Sequence, residues 1–228
     1  ADMLPAIRRR TVVFREGERG YEGTADTWFS GRTNPDEAAG FADGTYLRIG
    51  QWDGGNQQAT IRFDGLFGPG DAQVPAGAQI ESATLVLHNP PDIRDTFGHA
   101  SPQGDAFAAY RLLSAWDEVD AYGSRPWTAG PTPQVDTDGR EADASPIGDC
   151  AAMRTEAGGY IIPADSRIPI DVSGAIADWS RGEPNHGLLL QSLGAHPDSV
   201  TANREGDAIF LASREYTADP SNRPALEV

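Results

Sequence analysis

The sequence predicts an all-β chain, an antiparallel β-sandwich of jelly-roll type with long loops and one short helix. Two observations carry this expectation. Short runs in which apolar residues recur at every second position appear along the whole chain, which is the spacing that places them on one face of a strand. Between these runs the composition is rich in turn formers, with 26 glycines and 17 prolines in 228 residues, well above the roughly 12% of average usage. The 24.3 kDa chain is long enough to bury a core of its own, and residues 1–228 are expected to form one domain.

The elements follow in chain order. Arg10–Phe14 alternates with Val12 and Phe14 on one face, and Thr45–Ile49 does so with Leu47 and Ile49. Ala59–Phe63 offers Ile61 and Phe63, and Ser82–Leu87 offers Leu85 and Leu87. Further strands are expected at Ala108–Leu113, with Tyr110 and Leu112 inward, and at Ile168–Val172, Gly187–Gln191, Ala208–Ala212 and Ala225–Val228. Eight or more short strands with Gly/Pro turns suit a sandwich. One segment has helical spacing: Val172, Ile176 and Trp179 lie four and three residues apart, Ser173 can cap the start and Gly182 can end it. The stretches 90–105 and 122–163 are rich in Gly, Pro, Asp, Ser and Ala with weak periodicity, and read as long loops inserted in the one domain.

Charge narrows the function classes. There are 34 acidic residues against 18 basic ones, all of them arginine, for a net charge of −16. A chain so acidic lacks general affinity for nucleic acid or anionic lipid. Cys150 is the single cysteine, so neither an internal disulfide nor a paired-cysteine zinc site is expected. No apolar run approaches the roughly 20 residues of a membrane-spanning helix, and Ala1-Asp2-Met3 does not begin a signal pattern. The expectation is a soluble chain from which any export signal has been removed.

Ordered motifs then carry a family resemblance. Thr11–Thr27 resembles the opening motif of the DNRLRE-type domains, which include alginate-binding carbohydrate-binding modules. Ala59–Asp64 resembles the arginine-containing strand of that family, Val74–Leu87 its following turn and strand, and Tyr110–Glu118 its strand ending in a tryptophan and an acid. Asp171–Trp179 with Asn185–Leu190 resembles its short helix and next strand, and Phe210–Glu215 with Arg223–Val228 its end. The match spans about Thr11 to Val228, and the two long loops depart from it. The resemblance implies a jelly-roll accessory domain of a secreted or cell-surface protein, tethered to other domains and usually without chemistry of its own. Its implied partner is a polysaccharide, anionic and alginate-like.

The residues read by themselves give no strong catalytic signal. His88, His99, His186 and His196 lack metal-ligand spacing, and no nucleophile elbow, P-loop or dinucleotide fingerprint occurs. Acid pairs such as Asp117–Glu118 and Glu141 with Asp143 are abundant, but a glycosidase needs two carboxyl groups at a set separation, and acids in so negative a chain are usually solvated. The chain is therefore expected not to be an enzyme.

Alternation gives the better lead. With Leu47, Ile49, Ile61, Phe63, Tyr110 and Leu112 inward, Arg48, Arg62 and Arg111 face outward in mid-strand. Their planar forks match carboxylates, so they could read uronate groups, with Tyr46 and Trp52 as flat surfaces for sugar faces. The competing reading is that these arginines pair with Asp64, Glu215 or other acids and stiffen the sheet. Trp116 and Trp179 read as core, Trp28 as either core or surface, and Trp127 as a loop residue. Asp136, Asp138 and Glu141 place oxygens around a glycine in a spacing suited to a structural calcium ion, against the alternative of a solvated acidic loop. Two function classes remain: a non-catalytic module for an acidic polysaccharide, and a structural or adhesive spacer.

Overall fold

A computed structural model describes residues 9–30, 44–52, 55–93, 107–113, 115, 116, 118, 148–149, 162, 165–192 and 208–228. Their order is β1 (Val13–Arg15), β2 (Thr24–Ser30), β3 (Tyr46–Trp52), β4 (Gly55–Phe63), β5 (Thr84–Asn89), β6 (Phe107–Arg111), β7 (Gly148–Asp149), β8 (Ser166–Asp171), α1 (Ser173–Ser180), β9 (Leu188–Ser192), β10 (Ile209–Ala212) and β11 (Ala225–Glu227), with one 3-10 turn at Pro220–Asn222. Among these residues two antiparallel sheets pack as a sandwich. The smaller runs β1-β11-β5-β8; the larger runs β10-β3-β4-β9-β6-β7, with β2 also paired to β4.

The period-two pattern explains the core directly. Phe14 faces Leu226, Leu226 faces Leu85, and Leu85 faces Ile170 in register, so one buried apolar row crosses all four strands of the smaller sheet. On the larger sheet Leu47 and Ile49, Ile61 and Phe63, Phe107 and Ala109, Leu188 and Leu190, and Ile209 and Leu211 join the same cluster. Full burial of such a side chain contributes on the order of 1.5–3 kcal/mol.

The larger sheet is also covered on its other side, which alternation alone does not reveal. Ala25, Ala108, Tyr110, Leu112, Trp116 and Leu189 form a second cluster, and Ile93, Ala208, Phe210, Ala212 and Tyr216 a third. Hence all of Phe107–Tyr110 and all of β10 are buried. Tyr110 and Leu112 are buried as expected, but in the second cluster. The inward parity of β6 is therefore the reverse of the expected one: Phe107 and Ala109 face the main core, and Arg111 shares their side.

Helix α1 begins where its spacing places it, with Ala175, Ile176 and Trp179 buried. Its start is held differently from expectation. The Ser173 hydroxyl accepts from the Ala83 N–H at 2.8 Å and donates to Asp171 Oδ1 at 2.6 Å, while Asp171 Oδ1 also accepts the Ser173 N–H at 2.9 Å. Ser173 thus ties the helix to the start of β5, and Asp171 supplies the capping oxygen. Gly182, at φ +101°, ends the helix as its sequence position suggests.

Within the expected 122–163 loop, Gly148–Asp149 pairs with Ala108 and Ala109 of β6, and Ile162 is buried in the main core. Most of the two long loops, and Trp127, His99 and His196 with them, lies outside the described residues. The chain's last strand is internal to the smaller sheet. Val12 and Val228 exchange reciprocal backbone bonds of 2.8 and 2.9 Å beside the β1–β11 ladder.

Candidate functional site

The sequence-derived arginines occupy three separate environments. Arg48 is 6% exposed, with its guanidinium carbon 5.6 Å from the Trp28 ring centre and 5.0 Å from that of Phe210. Tyr46 stacks on Trp28 at 6.1 Å and meets Phe210 at 5.1 Å. Tyr46 and Arg48 are therefore brought together, inside an aromatic cluster that buries the cation. Trp28, 5% exposed, is a core residue. The Trp52 backbone closes β3, and its side chain lies outside the described residues.

Arg62 sits nearer solvent. Its Nε and Nη2 donate to the two oxygens of Asp64 at 2.9 and 3.1 Å, its Nη1 donates to the Trp116 carbonyl at 3.0 Å, and it lies 5.1 Å from the Trp116 ring centre. The indole of Trp116 is in turn fixed by donation to the His186 carbonyl at 2.8 Å. Arg111 donates to Asp178 of α1 at 2.9 Å. Leu188 aligns with both Arg111 and Ile61, so Arg62 and Arg111 project to opposite sides of the sheet. The expected row of outward forks is not one row, because the parity of β6 is reversed.

A tighter polar constellation lies where β2 meets the ends of β6 and β10. Asp26 is 1% exposed in mid-strand and aligns with Ile61. Its backbone N–H donates to Glu118 Oε1 at 2.9 Å, and its Oδ2 accepts the Arg214 N–H at 2.9 Å. The Arg214 guanidinium contacts Glu118 Oε2 at 2.8 Å, Glu215 Oε1, and the Thr24 carbonyl at 2.7 Å. Two carboxyl groups thus contact one guanidinium, and the third, Asp26, accepts from the same residue's backbone. Asp26 Oδ1 and Glu215 Oε2 are buried without a hydrogen-bond partner among the described residues.

Burial, reinforced by the negative charge of Glu215, pushes the Asp26 carboxyl well above the usual carboxylate range. Burial also raises Glu118 to about 7 and shifts Glu215 upward. Removing a carboxylate from water penalises its charged form, and one arginine cannot offset three. The constellation can therefore retain protons near neutrality while joining three segments distant in the chain. Sequence reasoning named Glu118 and Glu215 but missed their union with Asp26 and Arg214. An aspartate in the middle of a buried strand is the one local sign of it.

Among the described residues no group of three or more His, Cys, Asp and Glu side chains is arranged to hold a metal ion; Asp136, Asp138 and Glu141 lie outside them. No family model matches the chain, and no curated protein matches it significantly.

Proposed function

We propose that this domain is a non-catalytic carbohydrate-binding module for an acidic, alginate-like polysaccharide, working as an accessory part of a secreted or cell-surface protein. The observation that carries the reading is Arg62. It is a partly exposed fork, backed by an indole, that already holds a carboxylate through two bonds. Its partner Asp64 is 54% exposed in its side chain, so a uronate carboxylate arriving from solvent could take the same geometry. The motif resemblance to DNRLRE-type domains supports the same class. Affinity electrophoresis against alginate, pectin, neutral glucans and chitin tests it: retardation by the uronates alone is expected, weakened in Arg62→Ala. Reducing-end and unsaturated-product assays over the same panel should give no turnover. Under this reading a structural calcium ion at Asp136, Asp138 and Glu141 would raise the melting temperature over that of chelator-treated protein.

A structural or adhesive spacer is the second reading, favoured by the burial of Arg48 among Trp28, Tyr46 and Phe210 and by the pairing of Arg111 with Asp178. Absence of retardation by every glycan, with lowered melting temperature in the arginine variants, would select it.

A further inference from the structure

We infer that a site for one carboxylate-bearing sugar unit lies in the cleft between the 16–21 turn and the 65–73 loop, with Arg10 and Arg19 as its cations and Tyr21 as its wall. The inference rests on the glycan-binding reading above, but on different residues.

The cleft has a volume of about 220 Å³ and is lined by Arg10, Thr11, Glu18, Arg19, Tyr21 and Asp71, among others. Pockets for drug-sized ligands run to roughly 300–1,000 Å³, so this one suits a single ring of a longer polymer.

Both walls are fixed before any ligand arrives. In the turn, the Gly17 N–H donates to the Tyr21 carbonyl at 2.8 Å and the Tyr21 N–H to the Glu18 carbonyl at 2.9 Å. Tyr21 packs edge-on against buried Phe14 at 5.3 Å and donates its hydroxyl to the Asp64 carbonyl at 3.0 Å. In the loop, the Gln73 side chain donates to the Gly65 carbonyl at 2.8 Å and accepts the Gly70 N–H at 3.1 Å. Arg10 spans to the loop through the carbonyls of Asp71 and Gln73, which orients its guanidinium. Walls that need no ordering on binding leave more of the contact free energy as affinity.

The groups that would meet an anion are the two guanidiniums. Glu18 is already engaged by Arg15 at 2.7 Å, and Arg19 reaches it only at 4.0 Å with its own side chain 79% exposed. Arg10 and Arg19 line the cleft beside Asp71, and Arg19 presents its guanidinium to solvent. Arg19 also holds φ at +51°, a left-handed conformation that costs a residue with a Cβ free energy and suits glycine better. A long cation kept at a glycine-like position, with little ion-pairing of its own, is what a ligand contact requires and what folding alone does not.

That strain separates function from structure in a test. Titration calorimetry would measure a tetrauronate and a neutral tetraglucan against the parent, Arg19→Gly, Arg10→Gln and Arg62→Ala, at low and raised salt. Arg19→Gly relieves the backbone strain, so its melting temperature should equal or exceed the parent's, while its tetrauronate affinity falls by about tenfold or more. Arg10→Gln should also weaken binding, and the remaining affinity should depend less on salt. If the parent binds the tetrauronate and Arg19→Gly binds it equally well, the cleft is overturned while the glycan-binding reading stands. If the parent binds neither ligand, both fall.

Discussion

Glu118 sets a pH dependence of unusual sign. Its carboxyl is held at about 7 against an ordinary 4.5, mainly by burial, and Asp26 and Glu215 are displaced the same way. A folded-state pKa above the unfolded one gives stability that is complete below the unfolded value and lost as pH rises through the folded one. Asp171 and Asp219 are displaced downward by hydrogen bonds from Ser173 and Ser221, so their contribution is lost only at lower pH. Burial lowers His88, which works the opposite way in the upper part of this window; the three carboxyl groups outweigh it, so the melting temperature should fall between pH 4.5 and 7, and Glu118→Gln should flatten much of that slope. A calorimetric series that is level or rising over this window would refute the assignment. Residue-scale stability also separates the arginines. Arg48→Ala leaves a hole between two aromatic rings and should cost about 2–4 kcal/mol in chemical denaturation. Arg111→Ala breaks a pair whose side chains are 25% and 35% exposed, and should cost under about 1 kcal/mol. The sequence could mark all three arginines as mid-strand forks, but not their difference, because what covers each strand's second face comes from distant segments.

At the level of elements, β9 enters the larger sheet through a glycine with no substitute. Gly187 lies at φ +86°, and a Cβ there would fall 2.4 Å from the Ile61 carbonyl oxygen and 2.9 Å from Arg62 Cβ. Gly187→Ala should therefore lower stability by about 2–4 kcal/mol and disturb Arg62, visible as a smaller denaturation midpoint together with altered Trp116 fluorescence. Strand existence was legible because Phe14, Leu47, Ile61 and Leu85 recur at the period of two that a half-covered sheet imposes. On β6 the pattern points to the wrong face for the converse reason. With Phe107–Tyr110 buried on both sides, polarity no longer reports which way a side chain points. The cap of α1 escaped in a similar way, since Ser173 is spent on Ala83 and the neighbouring Asp171 takes over its role.

For the molecule as a whole, β11 lies between β1 and β5, so removing Ala225–Val228 takes out an internal strand together with Leu226 of the main core. That truncation should abolish cooperative thermal unfolding, whereas loss of an exposed end would be tolerated. A sandwich was readable from local pattern, but the union of Asp26, Glu118 and Arg214 was not, since it joins positions 92 and 188 residues apart and no local rule sets such distances. The pairing of the chain ends has a mechanical meaning too. Val13 aligns with Glu227 and Arg15 with Ala225, so the outward chain ends leave from the same end of this ladder. Tension applied through them opens the backbone bonds one after another, beginning with the Val12–Val228 pair, instead of loading them in parallel. Pulled through the segments that flank Val12 and Val228, the sandwich should yield first at this seam, which force spectroscopy would register as a low unfolding force.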